Sequence, residues 1–565
     1  MLYRISVRRA GVAATFTVVV GLTLSLVMSM STLASAADAP KWLNLFDGKS
    51  PPTVAPQGTL PLEKNAATFK DGVLHLVDGS TATGSTLLYV TRWNADPKEA
   101  AECEGELKLI AASAGPCGMC IDVANGVHQE DLSFYPDRIE LGTAKLSYKM
   151  NTTGDFHTYR VRIAGNDIQV FVDGKLAIEG QGKFTCAADN ARNVCEFGAG
   201  SSSATGEAVW RRMRCQYRAP AQGKIVVPEI PGLDVKLGET IVIVPDSFGP
   251  VATQFADGRL TVNGKWSTDG GHTWQNGPAS PDKASIELKG GEVLSLGYAT
   301  SKRVDGKYTL PQRRSLDGWK TVTAETGVLD IPRSVPCGGD DAGSNPGFLL
   351  EHSILRLKDG RLMATMYGTY EEDKTPAADP PYPASFHFNK YRTIVVFSSD
   401  KGRTWGDPVT VATAPKISQE GACEAGLARA ANGDILCAMR SGGYPGARPT
   451  PCYLSRSTNE GKTWSKPQAI LDLGVLPGLC VMRNGIVVCV TGRPGNWLVF
   501  SRDDGRTWQG GFCFSQGSWP STSSYNAIFE TAPDTIMVFY DREVVTDQGT
   551  LRREVAGTFF TVRKK

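Results

Sequence analysis

Short runs of alternating apolar and polar residues, separated by glycine-rich turns, are the main pattern of the chain from about residue 42 onwards. Residues 159–163 (Tyr-Arg-Val-Arg-Ile) and 168–172 (Ile-Gln-Val-Phe-Val) are clear examples, and the second run ends at the turn Asp173-Gly174. A period of two residues is typical of strands with one buried face. The pattern therefore predicts an all-β protein whose N-terminal part, residues 41–220, is an antiparallel sandwich.

A stretch rich in proline and glycine follows the predicted sandwich. It spans residues 221–237 and contains Pro228, Pro231 and Gly232. Such composition is typical of a linker between domains. A second domain is therefore predicted over residues 238–565.

The second domain contains a repeated sequence box, S-x-D-x-G-x-T-W. In this box the Asp or Asn side chain can accept bonds from backbone N–H groups, the Gly can take a positive φ, and the Trp can enter an apolar layer. We therefore interpret the boxes as structural and not catalytic. Four near-complete copies and a fifth, degenerate copy occur at residues 267–274, 398–405, 457–464, 501–508 and 315–321.

Six two-residue turns between apolar strands alternate with the boxes. Asn-Gly and Asp-Gly between strands are the strongest short hairpin signals. One hairpin and one boxed turn per unit predict a four-stranded sheet, and six such sheets predict a six-bladed β-propeller around a channel. A sandwich built from the same strands is the alternative, but it would not need one box per unit. The turns lie at residues 257–258, 290–291, 359–360, 432–433, 484–485 and 533–534.

The N-terminus carries the pattern of an export signal. Three arginines within residues 4–9 precede an uncharged, largely apolar run over residues 11–33, and Ala34-Ser35-Ala36 follows as a small-x-small cleavage site. We predict a signal peptide over residues 1–36, with an uncleaved anchor as the alternative. Either reading places the remainder outside the cytoplasm, secreted or in the periplasm or cell envelope.

Charge and metal-binding residues restrict the class of partner. Lys and Arg total 60 against 58 Asp and Glu, which is typical neither of a nucleic-acid surface nor of a polybasic membrane patch. Among the 13 cysteines, Cys117 and Cys120 form a C-x-x-C without a second pair at zinc spacing, which favours a bridge or free thiols. With 6 histidines, no H-E-x-x-H and no phosphate-binding loop, no cofactor or metal is predicted.

Candidate chemistry collects where the hairpins of the second domain start and end. Residues at equal distances from a turn lie opposite each other. Counted in this way, Tyr525 faces Arg542 about the turn 533–534, and Arg440 lies one residue from the position that faces Glu424. The count predicts one cluster of six side chains at a channel mouth: Glu351, Glu424, Arg440, Arg493, Tyr525 and Arg542.

With these boxes and this cluster, residues 238–565 resemble the sialidase superfamily. Glu424, Arg440, Arg493 and Tyr525 match that family's motif in order and approximate spacing. The resemblance implies a six-bladed propeller and a retaining exo-glycosidase that removes sialic acid. It also implies that Tyr525 is the nucleophile, that Glu424 is its base, and that the two arginines bind the substrate carboxylate.

The chain departs from the family's pattern in two places. Residues 246–250 (Asp-Ser-Phe-Gly-Pro) stand where the family has Phe-Arg-Ile-Pro, so the first of three arginines is missing. We predict Arg542 as its substitute and Glu351 as a further substrate contact. The family's acid/base Asp is not evident at its usual place, and Asp341, beside Asp340, is the candidate, with a turn as the alternative reading.

The N-terminal domain resembles, more loosely, concanavalin-like jelly rolls of the laminin-G and 3-keto-disaccharide hydrolase type. The matching pieces are residues 45–49, 156–160 and 171–175. This resemblance implies a jelly roll with carbohydrate contact, or a spacer. For the whole chain the partner expected is a glycan substrate. The alternatives to a sialidase are a hydrolase for another acidic sugar, a non-catalytic glycan-binding propeller, and a structural envelope protein.

Overall fold

A computed structural model describes the chain from residue 42 onwards, with gaps. Besides strands, the described residues contain one short 3-10 helix, Lys289–Gly291, but no α-helix, and no helix among them has the length and apolar character of a membrane span. The prediction of an all-β protein is confirmed. The predicted leader, Asp340, Asp341 and Glu351 lie outside the described residues. These residues are 42–52, 66–79, 86–189, 192–200, 204–218, 225–300, 303–335, 347–350, 353–377, 389–413, 418–443, 449–517, 521–546 and 551–565.

Fourteen strands form the N-terminal sandwich, in two antiparallel sheets. One sheet has the order β12-β11-β10-β5-β14-β3-β2, with β1 also paired to β14, and the other has the order β4-β13-β6-β7-β8-β9. The strands are β1 (Leu43–Phe46), β2 (Ala67–Lys70), β3 (Val73–Asp78), β4 (Leu87–Thr91), β5 (Ala101–Ala112), β6 (Cys120–Asn125), β7 (Gln129–Tyr135), β8 (Arg138–Leu141), β9 (Leu146–Lys149), β10 (His157–Ala164), β11 (Asp167–Val172), β12 (Lys175–Gly180), β13 (Asn193–Ala199) and β14 (Gly206–Gln216).

The alternation in the sequence determines which strand faces enter the sandwich core. In the β10–β11 hairpin, Tyr159 pairs with Val172 and Val161 with Val170, and all four side chains are buried. The residues between them on the two strands are only partly buried. The ring of Tyr159 packs 4.8 Å from that of Phe134 on the opposite sheet, so the two inner faces close over an aromatic core.

Twenty-five strands form the C-terminal region. They are β15 (Leu233–Pro245), β16 (Ala252–Gln254), β17 (Leu260–Val262), β18 (Lys265–Ser267), β19 (Gln275–Asn276), β20 (Ala284–Glu287), β21 (Val293–Leu296), β22 (Arg303–Val304), β23 (Lys307–Ser315), β24 (Thr323–Leu329), β25 (Ile354–Arg356), β26 (Leu362–Gly368), β27 (Arg392–Ser398), β28 (Thr404–Thr413), β29 (Cys423–Arg429), β30 (Ile435–Arg440), β31 (Cys452–Ser457), β32 (Gln468–Leu471), β33 (Gly478–Val481), β34 (Val487–Gly492), β35 (Asn496–Ser501), β36 (Gln509–Ser515), β37 (Ala527–Ala532), β38 (Thr535–Val545) and β39 (Leu551–Lys564).

These strands group into six units, each antiparallel within itself, which we call blades; the second and third are joined by a parallel pairing of β24 with β28. Blade 1 is β16–β19, blade 2 is β20, β21, β23 and β24 with β22 added at β23, and blade 3 is β25–β28. Blade 4 is β29–β32, blade 5 is β33–β36, and blade 6 is β37–β39 with β15 as its outer strand. Each blade contributes its first strand or the residue beside it to the wall of one central cavity of about 190 Å³. This arrangement is the geometry of a six-bladed propeller.

The pairing of β15 with β39 closes the ring. It runs from Leu233 opposite Lys564 to Pro245 opposite Glu554. The strand that enters the propeller thus completes the blade that the C-terminal strand builds. The last sandwich strand ends at Gln216, and β15 begins at Leu233, inside the predicted linker of residues 221–237.

Each boxed turn is held by the same set of hydrogen bonds. In the box at residues 398–405, the N–H of Gly402 donates to Ser398 Oγ at 2.8 Å, and the N–H of Thr404 donates to Asp400 Oδ1 at 2.9 Å. The indole of Trp405 donates to the carbonyl of Gly402 at 3.1 Å and is buried. The boxes therefore cap the turns between outer strands.

The degenerate box at residues 315–321 keeps the two hydrogen bonds of the backbone N–H groups, although a different residue stands at the glycine position; its indole donates outside the box, to the carbonyl of Ala279 at 2.8 Å. Trp319 takes that position at φ 73°, and its N–H donates to Ser315 Oγ at 2.8 Å. The N–H of Thr321 donates to Asp317 Oδ1 at 2.9 Å. Trp319 is fully buried. In this box the buried aromatic ring therefore comes from the glycine position and not from the last position, and the turn is kept.

Asp400→Ala should destabilise the propeller by about 1–2 kcal/mol, because several hydrogen bonds of the turn lose their acceptor. Asp400→Asn should cost less than about 0.5 kcal/mol. The box at residues 457–464 has an asparagine at this position and keeps the turn: Asn459 accepts the N–H of Thr463 at 2.9 Å and donates to its hydroxyl at 2.8 Å. Chemical denaturation followed by tryptophan fluorescence measures both variants, and equal losses would contradict this role of the box.

Candidate active site

A hydrogen bond between Tyr525 and Glu424 lies at the centre of the cluster. The phenol donates to Glu424 Oε1 at 2.9 Å, across 101 positions of sequence. Glu424 lies in a β-bulge of blade 4, between the pairs Cys423–Arg440 and Gly426–Ala438, and has φ 41°. Tyr525 lies two residues before β37 of blade 6. Two non-adjacent blades thus bring a phenol and a buried carboxylate into contact.

Arg440 donates to the same carboxylate oxygen of Glu424 as the phenol does. Its Nη1 donates to Glu424 Oε1 at 2.7 Å, its Nη2 donates to Glu420 Oε1 at 2.9 Å, and its Nε donates to the carbonyl of Gly442 at 2.8 Å. All three charged side chains are buried. The sequence prediction missed Glu420, although its place four residues before Glu424 was a signal that could have been used.

This arrangement keeps Glu424 ionised. Burial alone raises the pKa of a carboxyl group, but the charge and hydrogen bonds of Arg440, the Tyr525 hydroxyl and the charge of Arg493 outweigh it, and the pKa of Glu424 is below its ordinary value. Burial likewise acts to lower the pKa of Arg440, and Glu420 and Glu424 outweigh it, so that pKa is raised. Glu424 is therefore an acceptor for the phenolic proton at neutral pH.

Arg493 lies near the aromatic ring of Tyr525. It has φ 64°, and its guanidinium carbon is 5.9 Å from the centre of the Tyr525 ring. Its Nη1 donates to the carbonyl of Gly443 at 3.0 Å, and its Nη2 to that of Ser523 at 2.6 Å. Burial and the charge of Arg440 lower its pKa. Arg493 thus also ties the Tyr525 loop to blade 4.

Lys283 is a functional candidate that the sequence did not single out. Its ammonium nitrogen is 4.4 Å from the centre of the Tyr525 ring, within the range of a cation–π interaction. It immediately precedes β20 of blade 2 and lines the central cavity. The only available signal was its place at the start of an inner strand, since no motif surrounds it. Lys283, Arg440 and Arg493 therefore surround the Tyr525–Glu424 pair with three cations.

Arg542 is placed differently from the prediction. In the β37–β38 hairpin Ile528 pairs with Val538 and Ala532 with Thr535, with a bulge between Glu530 and Ala532. The bulge shifts the register by one, so Asp541 takes the position predicted for Arg542. Arg542 Nη2 instead lies 2.9 Å from Glu554 Oε1 on β39. The structure thus brings together four of the predicted residues and not this one.

The stretch that lacks the family's first arginine has an aromatic contact instead. The guanidinium of Arg553 lies over the ring of Phe248 at 4.3 Å. Asp341, the proposed acid, and Glu351 cannot be placed, since they lie outside the described residues.

Metal-binding groups are not clustered in the part of the chain that the structure describes. No three His, Cys, Asp or Glu side chains there are arranged to hold a metal ion. Cys117 and Cys120 are both unbridged, and Cys120 is buried. The bridge that was one reading of this C-x-x-C is therefore not formed in this structure.

One family model matches the chain. Residues 309–538 match the model described as a BNR repeat-like domain. This stretch covers less than half of the 565 residues and includes four of the five boxes. The match confirms that the predicted boxes belong to BNR-like repeats. No curated protein matches the chain.

Solved structures similar to this chain come from different functional classes. A protein of unknown function from Dyadobacter fermentans is 18% identical, with 59% of this chain and 100% of that chain covered and a TM-score of 0.42. The NanB sialidase from Streptococcus pneumoniae is 11% identical, with coverages of 84% and 99% and a TM-score of 0.36. An alpha-L-arabinanase from Penicillium chrysogenum is 14% identical, with coverages of 57% and 98% and a TM-score of 0.39. At identities of 11–18% these similarities assign no activity to this chain.

Arg440→Met should destabilise the protein by about 3–5 kcal/mol at pH 8, because two buried carboxylates lose their counter-charge. Burial then raises the pKa of Glu424, so its folded form binds a proton more readily than its unfolded form. The loss should therefore be smaller at pH 5 than at pH 8. Thermal unfolding at both pH values measures it. Arg429→Met is the matched control, since its partner Glu460 is partly solvated. A loss independent of pH would contradict the charge pairing.

Proposed function

We propose that the protein is an exported exo-glycosidase that releases a terminal sialic acid from glycans with retention of configuration. The observation that carries this proposal is the 2.9 Å hydrogen bond from the Tyr525 phenol to a buried, ionised Glu424. A phenol aimed at a carboxylate that arginine keeps deprotonated is the arrangement of a nucleophile with its base. Three cations around it favour an anionic substrate.

In the proposed reaction Tyr525 Oη attacks the anomeric carbon while its proton passes to Glu424. The bond to the leaving oxygen breaks, and that oxygen takes a proton from the acid, for which Asp341 remains the candidate. Water then gives a proton to the conjugate base of that acid and attacks the anomeric carbon. The bond from this carbon to Tyr525 Oη breaks, and the phenolate takes its proton back from Glu424, so that two inversions give retention. A neutral phenol suits a sugar whose anomeric carbon carries a carboxylate, because an anionic nucleophile would be repelled.

The cations are proposed to bind the substrate carboxylate. Arg440 donates three N–H groups to the protein, and a guanidinium has five, so two are left for a ligand. Lys283 is proposed to supply the third positive charge in place of the missing first-blade arginine. A lysine holds an anion as a point charge and not as a bidentate fork, so the carboxylate would be held with less geometric selectivity.

The second candidate function is hydrolysis of another acidic sugar. The observation that favours it is Phe248, which lies under Arg553 in the stretch where the family has its arginine. A changed carboxylate pocket fits a different uronic or ulosonic acid. A non-catalytic glycan-binding protein is the third candidate, and it predicts binding without turnover.

The first test is release of the fluorophore from a fluorogenic α-sialoside by the protein lacking residues 1–36. The parent should turn over, and Tyr525→Phe should lose at least about 10³-fold in kcat/KM, because it removes the nucleophile. Tyr148→Phe, at an exposed tyrosine of the sandwich, is the control. Retention of most activity by Tyr525→Phe would disprove the nucleophile assignment. Release by neither protein, followed by a panel of acidic sugars and a glycan array, would separate the other two candidates.

The role of Lys283 predicts a change in binding more than in chemistry. Lys283→Met should raise KM for the sialoside about 10-fold or more, because a charge-assisted contact is worth roughly 1.5–3 kcal/mol. Lys283→Arg should recover most of the affinity. Lys289→Met, at an exposed lysine six residues on, should change nothing. An unchanged KM in Lys283→Met would show that the substrate carboxylate is held elsewhere.

A further inference from the structure

A buried carboxylate outside the Tyr525–Glu424 pair holds the loop that carries the tyrosine. Asp541, on β38, is fully buried. Its Oδ2 accepts the N–H of Ser523 at 2.9 Å, and its Oδ1 accepts the hydroxyl of Ser523 at 2.5 Å and that of Thr522 at 3.3 Å. Burial raises its pKa in spite of these bonds.

Ser523 connects Asp541 with both Tyr525 and Arg493. Its hydroxyl oxygen accepts the N–H of Tyr525 at 3.0 Å, and its carbonyl accepts Arg493 Nη2 at 2.6 Å. The N–H of Ser524 donates to Thr522 Oγ1 at 2.9 Å. Three consecutive amides, 523 to 525, thus end on side-chain oxygens and not on a neighbouring strand. All three acceptors either belong to Asp541 or are held by it.

The strand that carries Asp541 is also held by the N-terminal sandwich. Glu543, two residues further along β38, forms an ion pair with Arg92, which follows the sandwich strand β4. The N–H of Leu551, at the start of β39, donates to the carbonyl of Arg92 at 2.9 Å. One sandwich residue therefore contacts both strands of the hairpin that carries Asp541.

Arg553 lies within the same charge cluster. It is opposite Glu543 in the β38–β39 pairing. Burial and the charge of Arg92 lower its pKa to about 10, while Glu543 and Asp541 act in the opposite direction. Two arginines and two carboxylates are thus close enough to influence one another. Arg92 is thus linked to Asp541 through the neighbouring charges of Glu543 and Arg553.

We propose that Asp541 is a positioning residue for Tyr525 and Arg493, and that the sandwich takes part in the site by fixing the Asp541 strand through Arg92 and Glu543. The effect on catalysis rests on the proposed function, but the positioning itself does not. A misplacement of about 1 Å at a reacting group can cost 100-fold in rate. The alternative is that Asp541 only stabilises blade 6.

Hydrogen exchange followed by mass spectrometry tests the positioning without turnover. In Asp541→Ala the amides of residues 523–525 should exchange at least 10-fold faster than in the parent, with β38 itself unchanged. Asp541→Asn, which keeps one acceptor oxygen, should lie between the two. Arg92→Gln should change the same amides in the same direction by a smaller factor. Arg552→Gln, at an exposed arginine on the same hairpin, is the control and should leave them unchanged, since Glu554 keeps its second partner, Arg542.

Each outcome decides one part of the proposal. Unchanged exchange at residues 523–525 in both Asp541 variants, or an equal rise throughout blade 6, would overturn the positioning role. If Asp541→Ala does not fold, Asp541→Asn decides. Unchanged exchange in Arg92→Gln would overturn the part played by the sandwich alone. If the parent hydrolyses the α-sialoside, kcat should fall 10- to 100-fold in Asp541→Asn with a smaller change in KM. If it does not, the proposed function fails and the exchange result still stands.

Discussion

Ring closure is the constraint on which the rest of the molecule depends. Tyr525 comes from blade 6, Glu424 from blade 4 and Lys283 from blade 2, so no local structure can bring them together. They meet because six blades surround one cavity, and the ring is closed by the pairing of β15 with β39. Hydrogen bonds along these two strands thus fix the distance across the channel.

The charges around Tyr525 and Glu424 follow from what burial requires. A buried carboxylate or guanidinium is stable only when it is paired and hydrogen-bonded. Glu420 and Glu424 therefore share Arg440, and the pairing keeps Glu424 ionised. Lys283 and Arg493 add two further positive charges near the Tyr525 ring. The pairing that stabilises the site is also what suits it to an anionic ligand.

The sequence was sufficient for the repeating parts of the structure and for the residues that stand at fixed distances from a turn. The boxes and hairpin turns predicted the strands, and Glu424, Arg440, Arg493 and Tyr525 were found because each lies near the end of a counted strand. The count failed for Arg542, because a bulge before Ala532 shifts the register by one and no residue type announces it. Lys283 and the Arg92–Glu543 pair depend on contacts between elements distant in sequence, which local patterns do not encode.

Three residues in or beside the Tyr525–Glu424 cluster have a strained backbone conformation. Glu424, Arg493 and Ser524 all have positive φ, at 41°, 64° and 55°, although none is glycine. Such conformations cost about 1–3 kcal/mol each and persist only where the surroundings fix them. Here the fixing contacts are the bonds of Arg440, Ser523 and Asp541. The site is therefore held in its geometry before any ligand arrives, and the stability of the rest of the ring has to compensate for that strain.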